Sequence, residues 1–371
     1  METDYKREAI LETGKVVIKV GTRLLTDVTR IRSLIKQIHD IRERGYQVIL
    51  VTSGAVGLGM KAMNLVKRPK DLAKKQALAS IGQGKLMSLY ENEAKKYGFH
   101  VAQLLLTMSG LRDREQHINA LNCINSLLQM NVLPIINEND SVSVEELTFG
   151  DNDTLAALVG MMMRCKVTII LTNVDGLYSV KNGNFGKRFS VVEKISPDVK
   201  KLAMGTDDSY ASVGGMISKV KAAEMVVSAG GYLWIVNGQN MSILKKVFNG
   251  EDVGTIFIPV ENKLMRSRKQ WISFFTKTQG QICIDDGAVK AICVNGRSLL
   301  ASGIYAVYGN FKKGSIVEIK DKDGNVIAKG LTNYSVEDMR RIMGLKSEGI
   351  ENVLGYIEYE EVIHRNNMVI F

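Results

Sequence analysis

Residues 15–22 read KVVIKVGT. A run of β-branched residues without polar alternation suits a strand buried on both faces, which is the habit of parallel sheets covered by helices. A lysine stands near its carboxyl end and a glycine follows at once. The same form returns at QVILVT (47–52) before SGAVGLG, at NVLPII (131–136), at KVTIILT (166–172) before NVDGLY, and at YLWIV (232–236). FHVAQLLLT (99–107) adds another apolar run. Helical stretches separate them: a charged one over roughly 27–44, a long one over 71–97, one over 113–130, one starting near Asn152 and one from about Gly214. Strands alternating with helices predict a three-layer αβα sandwich with a mainly parallel sheet.

At 371 residues the chain exceeds the usual length of one domain, and its 45% apolar content is enough to build cores. The texture changes past residue 258. ENKLMRSRKQWISFFTK is polar and basic, and short β-rich segments with glycine punctuation follow it. Asn295-Gly296 and Asp323-Gly324 between such segments predict hairpin turns. The expected division is a catalytic α/β domain over residues 1–258, a linker over 259–276 and a small β-rich domain over 277–371.

The formal net charge of +10 favours anionic partners: nucleotides, carboxylic acids or RNA. A solvated basic surface accounts for the same charge equally well. Cysteines 123, 165, 283 and 293 form no CxxC pair and the four histidines do not join them, so no structural zinc site is expected. METDYKREAILETGK is charged where a leader would be apolar, and no segment has the length to span a bilayer. The expectation is a reduced, cytoplasmic protein.

In an open parallel sheet ligands bind beyond the carboxyl ends of the strands. Glycines there let backbone amides approach phosphate or carboxylate oxygens, and lysines supply positive charge. Lys19 and Lys219 both lie beside glycine turns. By spacing alone, Lys219 fits better the exposed side of an amphipathic helix that buries Met216, Val220, Ala223 and Val227. Two other motifs fail. GLGMKA (57–62) matches G-x-G-x-x-A, yet the stretch that follows, VKRPKDLAKKQ, is no second strand. Gly84-Lys85 lacks the rest of a P-loop.

INENDSVSVEELTFGDNDTLAAL (136–158) places six acids in one region of a basic chain. An Asp or Asn before TLAALV is a good helix cap, but a cap needs only one residue.

Taken together, VVIKVGT (16–22), VILVTSGAVGLG (48–59), KQALASIGQGKL (75–86), AQLLLT (102–107), LPIINENDSVS (133–143), FGDNDTLAALV (149–159), LTNVDGLY (171–178) and GGMISKVKAAE (214–224) resemble the glutamate 5-kinases of the amino acid kinase family. DDGAVKAI (285–292), NGRSLLASGI (295–304), GNFKKGSIVEI (309–319) and AKGLTNYS (328–335) resemble a PUA domain. The resemblance implies ATP-dependent, Mg²⁺-assisted phosphorylation of the γ-carboxylate of L-glutamate, the first step of proline biosynthesis. It implies that Lys19 and Lys219 bridge the transferring phosphoryl group, with Asp153 orienting them.

By the same resemblance, Ser53, Gly54, Asn137, Asp140, Asp151 and Asn152 surround the amino acid. Lys19, Gly21, Thr172, Asn173 and the run Val213, Gly214, Gly215, Met216, Ile217, Ser218 and Lys219 hold ATP. No protein-only metal cluster is implied. Thr172-Asn173 and Val213 depart from the family's Thr-Asp and Thr-Gly-Gly-Met, both in the nucleotide half of the site. Further implied features are proline as a feedback inhibitor, acting through SVSVEELTF, and a homotetramer or dimer. A structural or regulatory role for the PUA domain is favoured over RNA binding, because no aromatic stacking series is evident.

Overall fold

The computed structural model describes residues 14–25, 27–142, 152–181, 184–204, 213–259, 265, 269, 271–275 and 278–371. The chain divides into two compact units, Met1–Leu264 and Met265–Phe371.

The first unit is built on an eight-stranded sheet in the order β3-β4-β2-β1-β5-β9-β10-β8. Its strands are β1 (Lys15–Val20), β2 (Gln47–Val51), β3 (Val101–Leu106), β4 (Leu133–Glu138), β5 (Val167–Thr172), β8 (Val191–Val192), β9 (Tyr232–Asn237) and β10 (Thr255–Phe257). From β3 across to β9 every pairing is parallel; β10 runs antiparallel to β9, and β8 is parallel to β10. A separate hairpin, β6 (Tyr178–Lys181) with β7 (Asn184–Arg188), follows β5. Neither it nor β8 and β10 was expected from sequence, since three- to five-residue strands carry too little periodicity to stand out.

Alternation along β1 sorts its side chains. Val16, Ile18 and Val20 join a core with Ile31, Ile35 and Ile38 of the Val28–Glu43 helix and Leu86 and Tyr90 of the Leu72–Ala94 helix. Val17 and Lys19 point to the opposite layer, where the Asn152–Met162 helix lies. That layer also holds Val220, Ala222, Ala223 and Val226 of the Val213–Ser228 helix, packed on Ile170, Leu233 and Ile235. Helices on both faces force the parallel strands to end together on one edge. The chain leaves β1 toward β2 and leaves β5 toward β9, in opposite directions along the sheet, although β1 and β5 are neighbours. Such a divergence opens a crevice beyond the strand ends.

SGAVGLG does not form a glycine loop. Gly54, at φ 100°, ends the turn after β2, and a helix runs Ala55–Ala62. A Cβ on Gly59 would come within 2.0 Å of Leu78 O, and one on Gly82 within 1.7 Å of Ala55 O. These glycines let the Ala55–Ala62 and Leu72–Ala94 helices touch backbone to backbone.

The second unit has a five-stranded sheet, β13-β11-β14-β15-β17, and a two-stranded one, β12 with β16. These strands are β11 (Gly280–Ile284), β12 (Leu299–Leu300), β13 (Ile304–Gly309), β14 (Ile316–Lys320), β15 (Val326–Leu331), β16 (Glu361–Ile363) and β17 (Met368–Ile370). Asp323-Gly324 joins β14 to β15 as a hairpin, with Asp321 accepting from the backbone of Asp323 and Asn325. Asn295-Gly296 does not join strands. It follows a helix, Asp286–Cys293, whose cap Asp285 accepts from Ala288 N.

Candidate active site

Asp153, in the first turn of the Asn152–Met162 helix, has no exposed surface. Its Oδ1 lies 2.6 Å from Lys19 Nζ and its Oδ2 lies 2.9 Å from Lys219 Nζ. Ser218 Oγ lies 3.2 Å from Oδ2 and 2.9 Å from Gly215 O, either of which can take its one hydrogen, and Lys219 Nζ donates to Gly215 O at 2.8 Å. A carboxylate taken fully out of water is costly unless charged and hydrogen-bonded partners replace the lost hydration. Two ammonium groups do so here and leave the cluster with net positive charge. The helix-face reading of Lys219 is thereby corrected: it is only 8% exposed, because pairing with Asp153 draws it inward.

The strand ends on either side complete the crevice. Gly21 follows β1, and a Cβ there would sit 3.7 Å from Lys19 Nζ. Thr172 ends β5, and its Oγ1 donates to Asn173 Oδ1 at 3.4 Å. Of the predicted nucleotide-binding run, Val213, Gly214, Gly215, Met216, Ile217, Ser218 and Lys219 all lie in the first turns of the Val213–Ser228 helix. Met216 and Ile217 pack their side chains against the core.

On the other side of Asp153 lies an amide cluster. Asn152 Nδ2 faces three acceptors: Asn137 Oδ1 at 2.9 Å, Ser53 Oγ at 3.0 Å and Thr52 O. Asn137 Nδ2 donates to Gln83 Oε1 at 2.9 Å, and Gln83 Nε2 donates to Gln103 Oε1 at 3.0 Å. Thr52 Oγ1 lies 2.8 Å from the buried Tyr90 hydroxyl, whose pKa burial pushes well above the usual phenol range. Asp140 is half-buried just beyond β4. Asp151 and most of SVSVEELTF, 143–149, lie outside the described residues. Ser141, at the edge of that stretch, is tied to Ser80 through a 2.8 Å hydroxyl contact.

Asn152 and Asp153 therefore direct side-chain atoms to distant parts of the chain: the ends of β2 and β4, Lys19 of β1 and the first turns of the Val213–Ser228 helix. Thr52, Gln83, Tyr90 and Gln103 were assigned no role from sequence. Gln83 carries a signal in hindsight. It follows Gly82, a mid-helix glycine that costs about 1 kcal/mol there and marks a place of close approach.

The family model of the amino acid kinase family matches residues 14–237, and that of the PUA domain matches residues 280–354. A glutamate 5-kinase of Caldanaerobacter subterraneus subsp. tengcongensis is 43% identical over 364 residues, covering 96% of this chain and 97% of that protein. One of Desulfotalea psychrophila is 44% identical over 373 residues, covering 98% and 99% respectively. The agreement runs through both units. The chain belongs to the amino acid kinase family, within its glutamate 5-kinases, and carries a PUA domain after the kinase unit.

Proposed function

We propose that the chain transfers the γ-phosphoryl group of ATP to the γ-carboxylate of L-glutamate. The observation that carries this reading is the buried Asp153 with Lys19 and Lys219 on its two oxygens, at the carboxyl edge of a parallel sheet beside an amide cluster. Phosphoryl transfer needs positioning and neutralisation of charge more than covalent help. Lys19 and Lys219 reach the transferring group from two sides, while Asp153 holds them apart and pointed. A carboxylate is already a nucleophile, so the reaction needs no general base.

The nucleotide would lie toward Gly21, Thr172, Asn173 and the start of the Val213–Ser228 helix, where free backbone N–H groups and the helix dipole favour phosphate. The amino acid would lie toward Ser53, Gly54, Asn137, Asp140 and Asn152. Both Asp153 oxygens are engaged by lysines, and among the described residues no group of three or more His, Cys, Asp or Glu could hold a metal. The residues fit a Mg²⁺ ion that arrives on the nucleotide, held by phosphates and water, and neutralises phosphate charge there. Proline inhibition through the stretch before Gly150, assembly into a dimer or tetramer and a regulatory use of the PUA domain extend the same reading. Among the described residues no helix is long and apolar enough to cross a membrane.

Incubation with ATP, Mg²⁺, hydroxylamine and L-glutamate should yield the γ-hydroxamate. Product formed only with acetylglutamate or aspartate would overturn the substrate assignment.

A further inference from the structure

Two backbone groups set the polarity of the amide cluster. Glu138 N can only donate, and it donates to Asn137 Oδ1 at 2.9 Å. Thr52 O can only accept, and it accepts from Asn152 Nδ2. With those ends settled, each amide between them has one orientation: Asn152 donates to Asn137, Asn137 donates to Gln83, and Gln83 donates to Gln103.

The consequence reaches the binding crevice. Asn152 Nδ2 already faces three acceptors of the chain, more than its two hydrogens can serve, so Asn152 has only Oδ1 left to offer a ligand. Ser53 Oγ lies 3.0 Å from the same nitrogen, which offers it no acceptor, so its O–H is left to donate outward. An acceptor beside a donor matches an α-ammonium beside an α-carboxylate. Asn137 is 1% and Gln83 8% exposed, so water does not readily replace a missing partner inside this chain.

We infer that Gln83, backed by Gln103, is a positioning residue for substrate specificity: by accepting from Asn137 Nδ2 it holds Asn137 and Asn152 in the orientation that recognises an α-ammonium group. The inference rests on the glutamate reading above. Without the Gln83 acceptor, the orientation favoured by Glu138 N would leave Asn137 Nδ2 buried and unpaired, so Asn137 shifts to satisfy that donor, Asn152 loses its partner, and its Oδ1 no longer faces the ligand. Gln83→Met keeps the length and removes the hydrogen bonds. Gln83→Glu keeps the acceptor, and the exposed Gln103 amide can turn to donate to it.

The test is calorimetric binding of L-glutamate and of glutarate, the same diacid without the amino group, to the full chain and its variants. Loss of one hydrogen-bonded alignment should weaken glutamate binding about tenfold in Gln83→Met while glutarate changes less than about threefold. Gln83→Glu should keep the wild-type preference. A folded Gln83→Met with unchanged preference, equal loss in both variants, or a wild-type protein that binds glutarate as well as glutamate would each overturn the inference. Should Gln83→Met fail to fold, Gln103→Met at the exposed end must shift the preference in the same direction, and an unchanged preference there overturns it too. Wild-type protein that prefers glutamate over glutarate yet forms no hydroxamate would sink the phosphoryl-transfer reading and leave the relay standing.

Discussion

Lys19 Nζ stands 2.6 Å from Asp153 Oδ1, and that carboxylate has no contact with solvent. Its second oxygen is held by Lys219. Asp153→Asn removes the charge both lysines share and leaves them buried against a neutral amide, a loss of about 3 kcal/mol or more for a broken buried pair. Urea unfolding should show that loss, and the hydroxamate assay should show activity reduced by about a hundredfold or more as the lysines lose their alignment. Unchanged stability and activity would mean that the pairing has no part in either.

Lys19→Ala and Lys219→Ala each leave Asp153 with one lysine. Their charge acts on the transferring group, so kcat should fall by about a hundredfold or more while the KM for glutamate moves only a few-fold. Steady-state kinetics at saturating ATP separates the two parameters. A rise in glutamate KM with kcat intact would place the lysines on the amino acid instead.

Gly82→Ala drives a methyl group toward Ala55 O, on the helix that begins just after Ser53 and Gly54. Forcing the two helices apart should cost about 1–3 kcal/mol or more and raise the KM for glutamate. Gly84→Ala is its control, since nothing lies within 4 Å of the added carbon. There the helix should gain up to about 1 kcal/mol. Equal melting temperatures for the two variants would contradict the backbone contact.

Asn173→Asp turns the neighbour of Thr172 Oγ1 into a charged acceptor at the nucleotide side of the crevice. The KM for ATP or the preference for ATP over GTP should change, with the KM for glutamate unaffected. An effect confined to glutamate would reverse the assignment of the two halves.

Burial pushes the Cys165 thiol up to about 12, so at pH 8 it is protonated as well as shielded. Cys123 is exposed. Iodoacetamide at pH 8 should therefore label Cys123 in the native protein and Cys165 only as urea unfolds the chain, read by peptide mass spectrometry. Native labelling of Cys165 at the rate of Cys123 would contradict its burial.

Local pattern alone determined the parallel part of the sheet, β3 across to β9, though not β10 and β8. Continuous apolar runs such as KVVIKV and KVTIILT can be satisfied only by cover on both faces, and that requirement makes the strands parallel and brings their carboxyl ends to one edge. The acids and amides of 136–158 and Lys19 also announced themselves, because such groups next to strand ends have no structural need to be there. What local pattern did not determine was which groups meet. Lys219 fits an exposed helix face until Asp153 arrives from another helix to draw it inward, and Asn152 fits a cap until the end of β2 takes its amide hydrogens. Gly59 looks like a loop glycine, and Gly82 like a misplaced one in a helix, until two helices cross on them. In each case the free energy lies in a contact between segments far apart in the chain: desolvation of a charge, satisfaction of a buried amide, or the close approach of two backbones. Its sign is set only when the fold brings the partner within about 3 Å.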